Sequence, residues 1–239
     1  MGRSAVAVAL AAWSGCVDPG VVGEQRPSEP SEPARDASAC PSGRRLDLYL
    51  LIDDSTSMIP WWTETLDGIS AFMSAPESVG VGVGLQLFGT ACEVESYVQP
   101  RVPIAPLPGN AGALQNGFPL LPVEESAMRP ALEGATRYAR DWALQNPNSE
   151  VLVVLMTDGV PEECDSTLDN VSEIAKAAQA GQPSIRTHVI VVGVLATLEA
   201  FVQAGGTNGA SFVNPGSPEA LPQVLSQLRD ANRPCTPEP

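Results

Sequence analysis

The sequence predicts an α/β fold: a doubly wound, mainly parallel sheet with helices on both faces and one antiparallel edge strand. Three observations carry that expectation. Apolar runs of strand length recur along the chain (LDLYLLID, GVGLQLF, EVLVVLM, IRTHVIVVGV), the pattern of strands covered on both sides. Segments of helical period stand between them, which calls for parallel strands joined by right-handed crossovers. Acidic and hydroxyl residues gather where two of the runs end, and open α/β sheets bind their ligands beyond the carboxyl ends of the strands. No period of about 20–50 residues repeats, so a single folded domain is expected.

Leu46–Asp53 is read as the first strand. Pro60–Ala75 follows as a helix, with Trp61, Leu66, Ile69 and Phe72 at helical spacing and Pro60 suited to its first turn. Of Trp61 and Trp62, one is expected in the core, and the other is a candidate for a binding rim, where aromatic residues favour interfaces. Gly82–Phe88 is the second strand. The glycines at 80, 82 and 84 precede or lie in that strand instead of linking strand to helix, so they form no phosphate cradle. Glu93–Val98, short, alternating and charged, is expected to pair antiparallel at an edge, and Pro103–Pro108 to be an extended link. Ala127–Gln145 is a strong helix with Leu132, Ala135, Ala139 and Trp142 on one stripe, and Glu150–Met156 is the fourth strand. Ser172–Ala180 is helical, Ile185–Val194 a strand, Leu198–Ala204 a short helix, Ser211–Val213 a short strand and Pro218–Asn232 the last helix. Gly205 and Gly206 read as a helix-closing turn, and His188, within a strand, as structural.

Composition narrows the function classes. Hydrophobic residues make up 44% of 239, enough for a sizeable core, and the formal net charge is −15. A chain this acidic, without a basic stripe, repels phosphate backbones, which excludes nucleic acid as the expected partner. The one histidine and the absence of G-x-x-x-x-G-K-[ST], G-x-S-x-G and S-x-x-K remove the common nucleotide and serine-hydrolase layouts, so no enzymatic activity is expected.

The N-terminus has the layout of an export signal: Arg3, a short apolar stretch at 5–12, then Trp13-Ser14-Gly15-Cys16. Small residues before a cysteine resemble the lipobox of bacterial lipoproteins, although Trp13 stands where leucine is usual. The resemblance implies cleavage after residue 15, a lipid on Cys16 and, because residue 17 is Val and not Asp, sorting to the outer membrane. Residues 16–39 then form a disordered tether rich in Pro, Ser and Glu. The folded domain is expected over 40–235, followed by a short tail at 236–239.

Four further cysteines, Cys40, Cys92, Cys164 and Cys235, read as two disulfides in an exported chain, with three pairings possible. Cys40 and Cys235 bracket everything that looks folded, so they are paired, leaving Cys92 with Cys164. No C-x-x-C spacing supports a metal–thiolate site instead.

The chemistry sits at the strand ends. The first strand ends in DDSTSM from Asp53 and the fourth in Thr157-Asp158-Gly159. Alternate residues of a tight turn can aim at one point, so Asp53, Ser55 and Ser57 can converge, with Asp158 arriving from the other strand. Carboxylate and hydroxyl oxygens suit a hard divalent ion such as Mg²⁺. Without a metal, an Asp beside serines is an ordinary helix cap.

LYLLIDDSTSM followed about one hundred residues later by VLVVLMTDG resembles the von Willebrand factor A family. The resemblance implies a metal-ion-dependent adhesion site formed by Asp53, Ser55, Ser57, Asp158 and a loop residue. The family's loop threonine precedes an Ala-Leu pair by five positions; here Ala131-Leu132 place Ser126 there. The segments CEVESYVQPRVPIAPLPGNAGAL, PALEGATRYARDWALQNP and TDGVPEECD resemble the subset of such domains found in bacterial surface lipoproteins, where both the Cys92 and Cys164 positions recur. The resemblance further implies that a protein partner supplies a carboxylate to the metal, with Mg²⁺ the first choice and Mn²⁺ or Ca²⁺ as substitutes. Glu162, Glu163 and Asp165 ring the loop after Asp158 as a solvated acidic rim or a specificity element. A reading from another class is a structural component of a cell-envelope complex whose metal site is vestigial.

Overall fold

A computed structural model describes residues 44–122, 124–159, 161, 163–192, 203–206, 211–213 and 220–232. The export signal, Cys16, the tether, the Cys40–Cys235 pair, Glu162, the tail and most of the helix expected at Leu198–Ala204 lie outside them.

The sheet has six strands: β1 (Arg45–Asp53), β2 (Gly82–Phe88), β3 (Val102–Pro106), β4 (Ser149–Thr157), β5 (Arg186–Val192) and β6 (Ser211–Val213). Their spatial order is β3-β2-β1-β4-β5-β6, and every pair is parallel except β2 with β3. The helices are α1 (Trp62–Ser74), α2 (Glu95–Val98), α3 (Ala111–Gly117), α4 (Met128–Gln145), α5 (Leu168–Ala180) and α6 (Ala220–Asn232). Among the described residues no helix is long and apolar enough to cross a membrane.

Strand alternation sends β1 into two cores. Leu46, Leu48, Leu50 and Ile52 join Ile69 and Phe72 of α1, Leu114 of α3, and Leu221 and Leu225 of α6. Tyr49 and Leu51 join Leu132, Ala135 and Ala139 of α4 and Val171 and Ala175 of α5. Both faces of β1 and β4 are therefore covered, which is why these strands read as unbroken apolar runs. Each such Leu or Ile removed from water contributes roughly 1.5–3 kcal/mol.

Three expectations fail locally. The antiparallel edge strand is Val102–Pro106, not Glu93–Val98: Gly82 faces Pro106, Val83 faces Ala105 and Leu85 faces Val102. Proline is tolerated in an edge strand because one side of its backbone needs no partner. Gly84 permits the close approach, since a Cβ there would lie 2.7 Å from Ile104 Cγ1. Glu95–Val98 turns into a helix because Tyr97 buries its ring, and its hydroxyl donates to the carbonyls of Gly89 (3.2 Å) and Ala91 (2.9 Å). The second departure is at Pro60, which lies inside a 3₁₀ segment, Thr56–Trp61, while the α-helix begins at Trp62. Trp62 is the core tryptophan and Trp61 is only half-buried. The helix expected from Ser172 starts earlier, at Leu168, because Thr167 caps it by accepting the Asn170 N–H at 3.2 Å.

Candidate metal centre

The chain runs outward from β1 to β2 and β3, then returns to the other side of β1 as β4. That reversal creates a crevice at the carboxyl ends of β1 and β4. Register brings the two ends level, with Ile52 opposite Met156 on β4 and Asp53 opposite Phe88 on β2.

All five candidate residues meet there in one hydrogen-bonded chain. Asp53 Oδ1 accepts the Ser55 N–H at 3.0 Å. Its Oδ2 accepts the Ser126 hydroxyl at 3.2 Å. The Ser55 and Ser57 hydroxyls are 2.9 Å apart, and Ser57 donates to Asp158 Oδ1 at 2.7 Å. Asp53 and Ser55 are buried, Ser126 and Asp158 half-buried, and Ser57 exposed, so the cluster opens to solvent on one side.

Three residues without a role in the sequence reading complete the site. Thr157, fully buried, donates its hydroxyl to Asp53 Oδ2 at 2.7 Å and accepts the Gly159 N–H at 3.1 Å. The TDG motif displayed this residue, but only the register of β4 against β1 shows what it touches. Glu124 flanks the turn: its N–H donates to the Asp54 carbonyl (3.0 Å), and its own carbonyl accepts the Thr56 N–H (3.1 Å). Thr90, after β2, donates its hydroxyl to the Glu124 carboxylate. Nothing in the local sequence marks either, because both act across long chain separations.

The loops are tied together behind the site. Cys92, after β2, and Cys164, after β4, form a disulfide with Cα atoms 5.3 Å apart. Cys164 and Asp165 both take left-handed backbone conformations, at φ 56° and 57°, which cost a non-glycine residue of order 1 kcal/mol each. Next to them, buried Ser166 accepts the Arg129 N–H at 2.9 Å and so caps the first turn of α4 behind Ser126.

Burial is the main electrostatic force on the centre. It pushes the Asp53 carboxyl above its ordinary value, the bonds from Thr157 and Ser55 oppose that, and neighbouring Asp158 adds to it. Asp54 is pushed up to about 6, first by burial and then by the Glu124 carboxylate, against the pull of Arg101. Two neighbouring carboxylates, one deeply buried, form a set that a cation stabilises. The converging donors are all hard oxygens, which fit Mg²⁺, Mn²⁺ or Ca²⁺ and not a thiolate- or imidazole-loving ion. Among the described residues no three His, Cys, Asp or Glu side chains converge as a metal group, so the hydroxyls are indispensable to any ligand set here.

No family model matches the chain, and no curated protein matches it. Solved structures do. The SpRpn10 VWA domain superposes with a TM-score of 0.51 at 17% identity, covering 77% of this chain and 95% of that one. The pilus adhesin SpaC from Lactobacillus rhamnosus GG gives 0.59 at 14% identity, over 77% of this chain and 30% of the adhesin. The von Willebrand factor type A protein from Catenulispora acidiphila gives 0.56 at 16% identity, over 77% and 42%. The chain thus spans nearly all of the first and less than half of the other two. At such identities the likeness is one of backbone topology, and with the strand order and the crevice between β1 and β4 it establishes a von Willebrand factor A-like fold.

Proposed function

We propose that this protein is a binding module and not an enzyme, and that Asp53, Ser55, Ser57, Ser126 and Asp158 hold one divalent cation, Mg²⁺ ahead of Mn²⁺ or Ca²⁺. A carboxylate from a protein partner completes the ion's shell. The cation supplies an electrophilic centre for that oxygen. The chain's own residues orient it: Asp53 and Asp158 provide charge, the three serines provide neutral oxygens, and Thr157 and the Ser55 N–H keep the Asp53 carboxylate from rotating. With only two anionic ligands, the bound ion keeps positive charge for an incoming anion. The observation that carries this reading is that the five residues, from three separate segments, are linked in one hydrogen-bonded chain at the carboxyl ends of β1 and β4. The single histidine, His188, sits in β5 and takes no part.

The module is exported and held to the bacterial envelope by a lipid on Cys16. The Cys92–Cys164 bond supports export, because such bonds persist in oxidising compartments. The pilus adhesin among the fold neighbours is an example of the same architecture used for attachment. The reading as an assembly component with a vestigial site draws on one observation: the site's polar groups already satisfy one another, Ser57 binding Asp158 directly.

Thermal unfolding of the purified chain separates the two readings. Mg²⁺ at one hundred times its dissociation constant adds about 2.7 kcal/mol. A rise in Tm with Mg²⁺ over EDTA that Asp53→Ala abolishes supports the metal centre. An unchanged Tm in both proteins, over millimolar Mg²⁺ and Mn²⁺, overturns it in favour of the assembly role.

A further inference from the structure

The rim of the site differs on its two sides. Among the described residues five large apolar side chains are exposed: Ile59, Val79, Leu120, Leu121 and Leu144. Ile59 lies two residues beyond Ser57, and Leu120 and Leu121 lie in the loop that runs into Glu124, whose backbone brackets Asp54 and Thr56. Leu120 is 97% exposed and Leu121 56%. Their loop is nevertheless anchored. Buried Trp62 donates its Nε1–H to the Pro119 carbonyl at 3.2 Å and packs edge-on against Phe118, ring centroids 6.1 Å apart. Trp62 and Phe118 belong to the core on the α1 and α6 face of the sheet, so the apolar residues stand on that side.

The opposite side is acidic. Thr90 holds the exposed Glu124, and Cys92, two residues further on, is bonded to Cys164, which lies between exposed Glu163 and Asp165. Asp165 pairs with Arg129 at 3.8 Å, an exposed ion pair that leaves the shoulder net acidic. Ala91 and Tyr97 of this region pack into the core on the α4 and α5 face. The candidate metal centre thus lies between a hydrophobic shoulder and an anionic one. Exposed leucines in an anchored loop gain by being covered, at roughly 25 cal/mol per Å². Exposed carboxylates on a chain of net charge −15 favour an approaching cationic surface and repel an acidic one.

We propose that Ile59, Leu120 and Leu121 with Glu124, Glu163 and Asp165 form a two-sided rim, and that the protein partner it takes presents one carboxylate flanked by a large apolar side chain and by lysine or arginine. The inference rests on the metal-centred reading above and specifies the partner for that same site. Such a partner places its acid on the ion, its apolar residue against Leu120 and Leu121, and its base toward Glu163 and Asp165. Charge here sets specificity and association rate more than affinity, while the apolar contact sets residence time.

The test is selection of a phage-displayed random-peptide library on the immobilised full chain in Mg²⁺, with elution by EDTA. The expected result is a consensus of Asp or Glu between a large apolar residue and Lys or Arg. A synthetic peptide of that consensus should bind Leu120→Ser/Leu121→Ser about tenfold more weakly. Its association rate with Glu163→Gln/Asp165→Asn should fall and lose most of its salt dependence. The rim positions substituted, Leu120, Leu121, Glu163 and Asp165, are all exposed, and unchanged Tm values verify that these variants fold. Peptides that need Mg²⁺ and Asp53 but share no apolar or basic flank, or that bind the leucine variant unchanged, overturn the rim and leave the metal-centred reading standing. Peptides indifferent to EDTA and to Asp53→Ala overturn both; a library yielding no binder overturns the rim, while the Mg²⁺-dependent Tm decides the metal-centred reading. Sedimentation showing a dimer that Leu120→Ser/Leu121→Ser returns to monomer makes the apolar side a self-interface and overturns the proposed partner.

Discussion

Thr157 shows how much a single hydroxyl decides. It is the buried group that joins the end of β4 to the Asp53 carboxylate, and the N–H of Gly159 occupies its oxygen, leaving its proton for Asp53. A hydrogen bond to a charged, buried partner is worth about 1.5–3 kcal/mol. In Thr157→Val the carboxylate loses that restraint, and Mg²⁺ affinity measured by isothermal titration calorimetry should fall about tenfold. Thr157→Ser keeps the hydroxyl and should restore it. Equal Mg²⁺ affinities in the two variants would show that Thr157 only fills space. Ser126 illustrates the complementary point. It reaches Asp53 Oδ2 at 3.2 Å, so a serine retains the polar contact, but without a γ-methyl its side chain is freer to rotate.

At the scale of elements, the site is a junction of four loops tied to their neighbours. The turn after β1 is bracketed by Glu124, the loop before α4 is capped by Ser166, and the loops after β2 and β4 are joined by Cys92–Cys164. Gly134 of α4 lets α2 settle against it, since a Cβ there would lie 2.7 Å from Tyr97 Cβ, and this packing holds the Thr90 loop from below. The disulfide closes a separation of 72 residues, for which chain entropy alone predicts about 4 kcal/mol of stabilisation. Cys92→Ser/Cys164→Ser should therefore lower Tm by several degrees. The loss at the site should exceed the loss in the core: amide exchange should rise at 158–167, where two residues hold left-handed conformations, before it rises in β1 or β4. Uniform loosening of the whole sheet would show that the bond acts only on the unfolded chain.

At the scale of the molecule, pH probes the balance of buried charge. Burial lowers the His188 imidazole to about 4, so between that value and its ordinary 6.5 the unfolded chain binds a proton that the native state refuses. Stability from this group is complete above pH 6.5 and is lost as pH falls towards 4. Asp54, raised to about 6, acts in the other direction: the native state holds its proton over the ordinary carboxylate, and stability from it falls as pH rises through that window. The difference between His188→Gln and wild type isolates the first effect. In urea titrations the variant's relative stability should improve by about 2 kcal/mol between pH 7 and 4.5. A constant difference would mean that His188 titrates normally in the folded protein.

The sequence by itself determined the sheet and where to look on it. Unbroken apolar runs require cover on both faces, alternation with helical segments requires parallel crossovers, and DDSTS and TDG mark the ends of two such strands; all of this is local patterning. The edge strand was the exception, because proline-rich VPIAP lacks strand character and pairs only since Gly84 lets it approach β2, while the better-looking Glu95–Val98 is drawn into a helix by the burial of Tyr97. Tertiary structure alone decided which tryptophan is buried, what Thr157, Glu124 and Thr90 do, and that Leu120 and Leu121 stand exposed in the loop leading to Glu124. Those features depend on contacts between residues tens of positions apart, from Ser57 to Asp158 and from Trp62 to Pro119, and distance in space is not written in spacing along the chain.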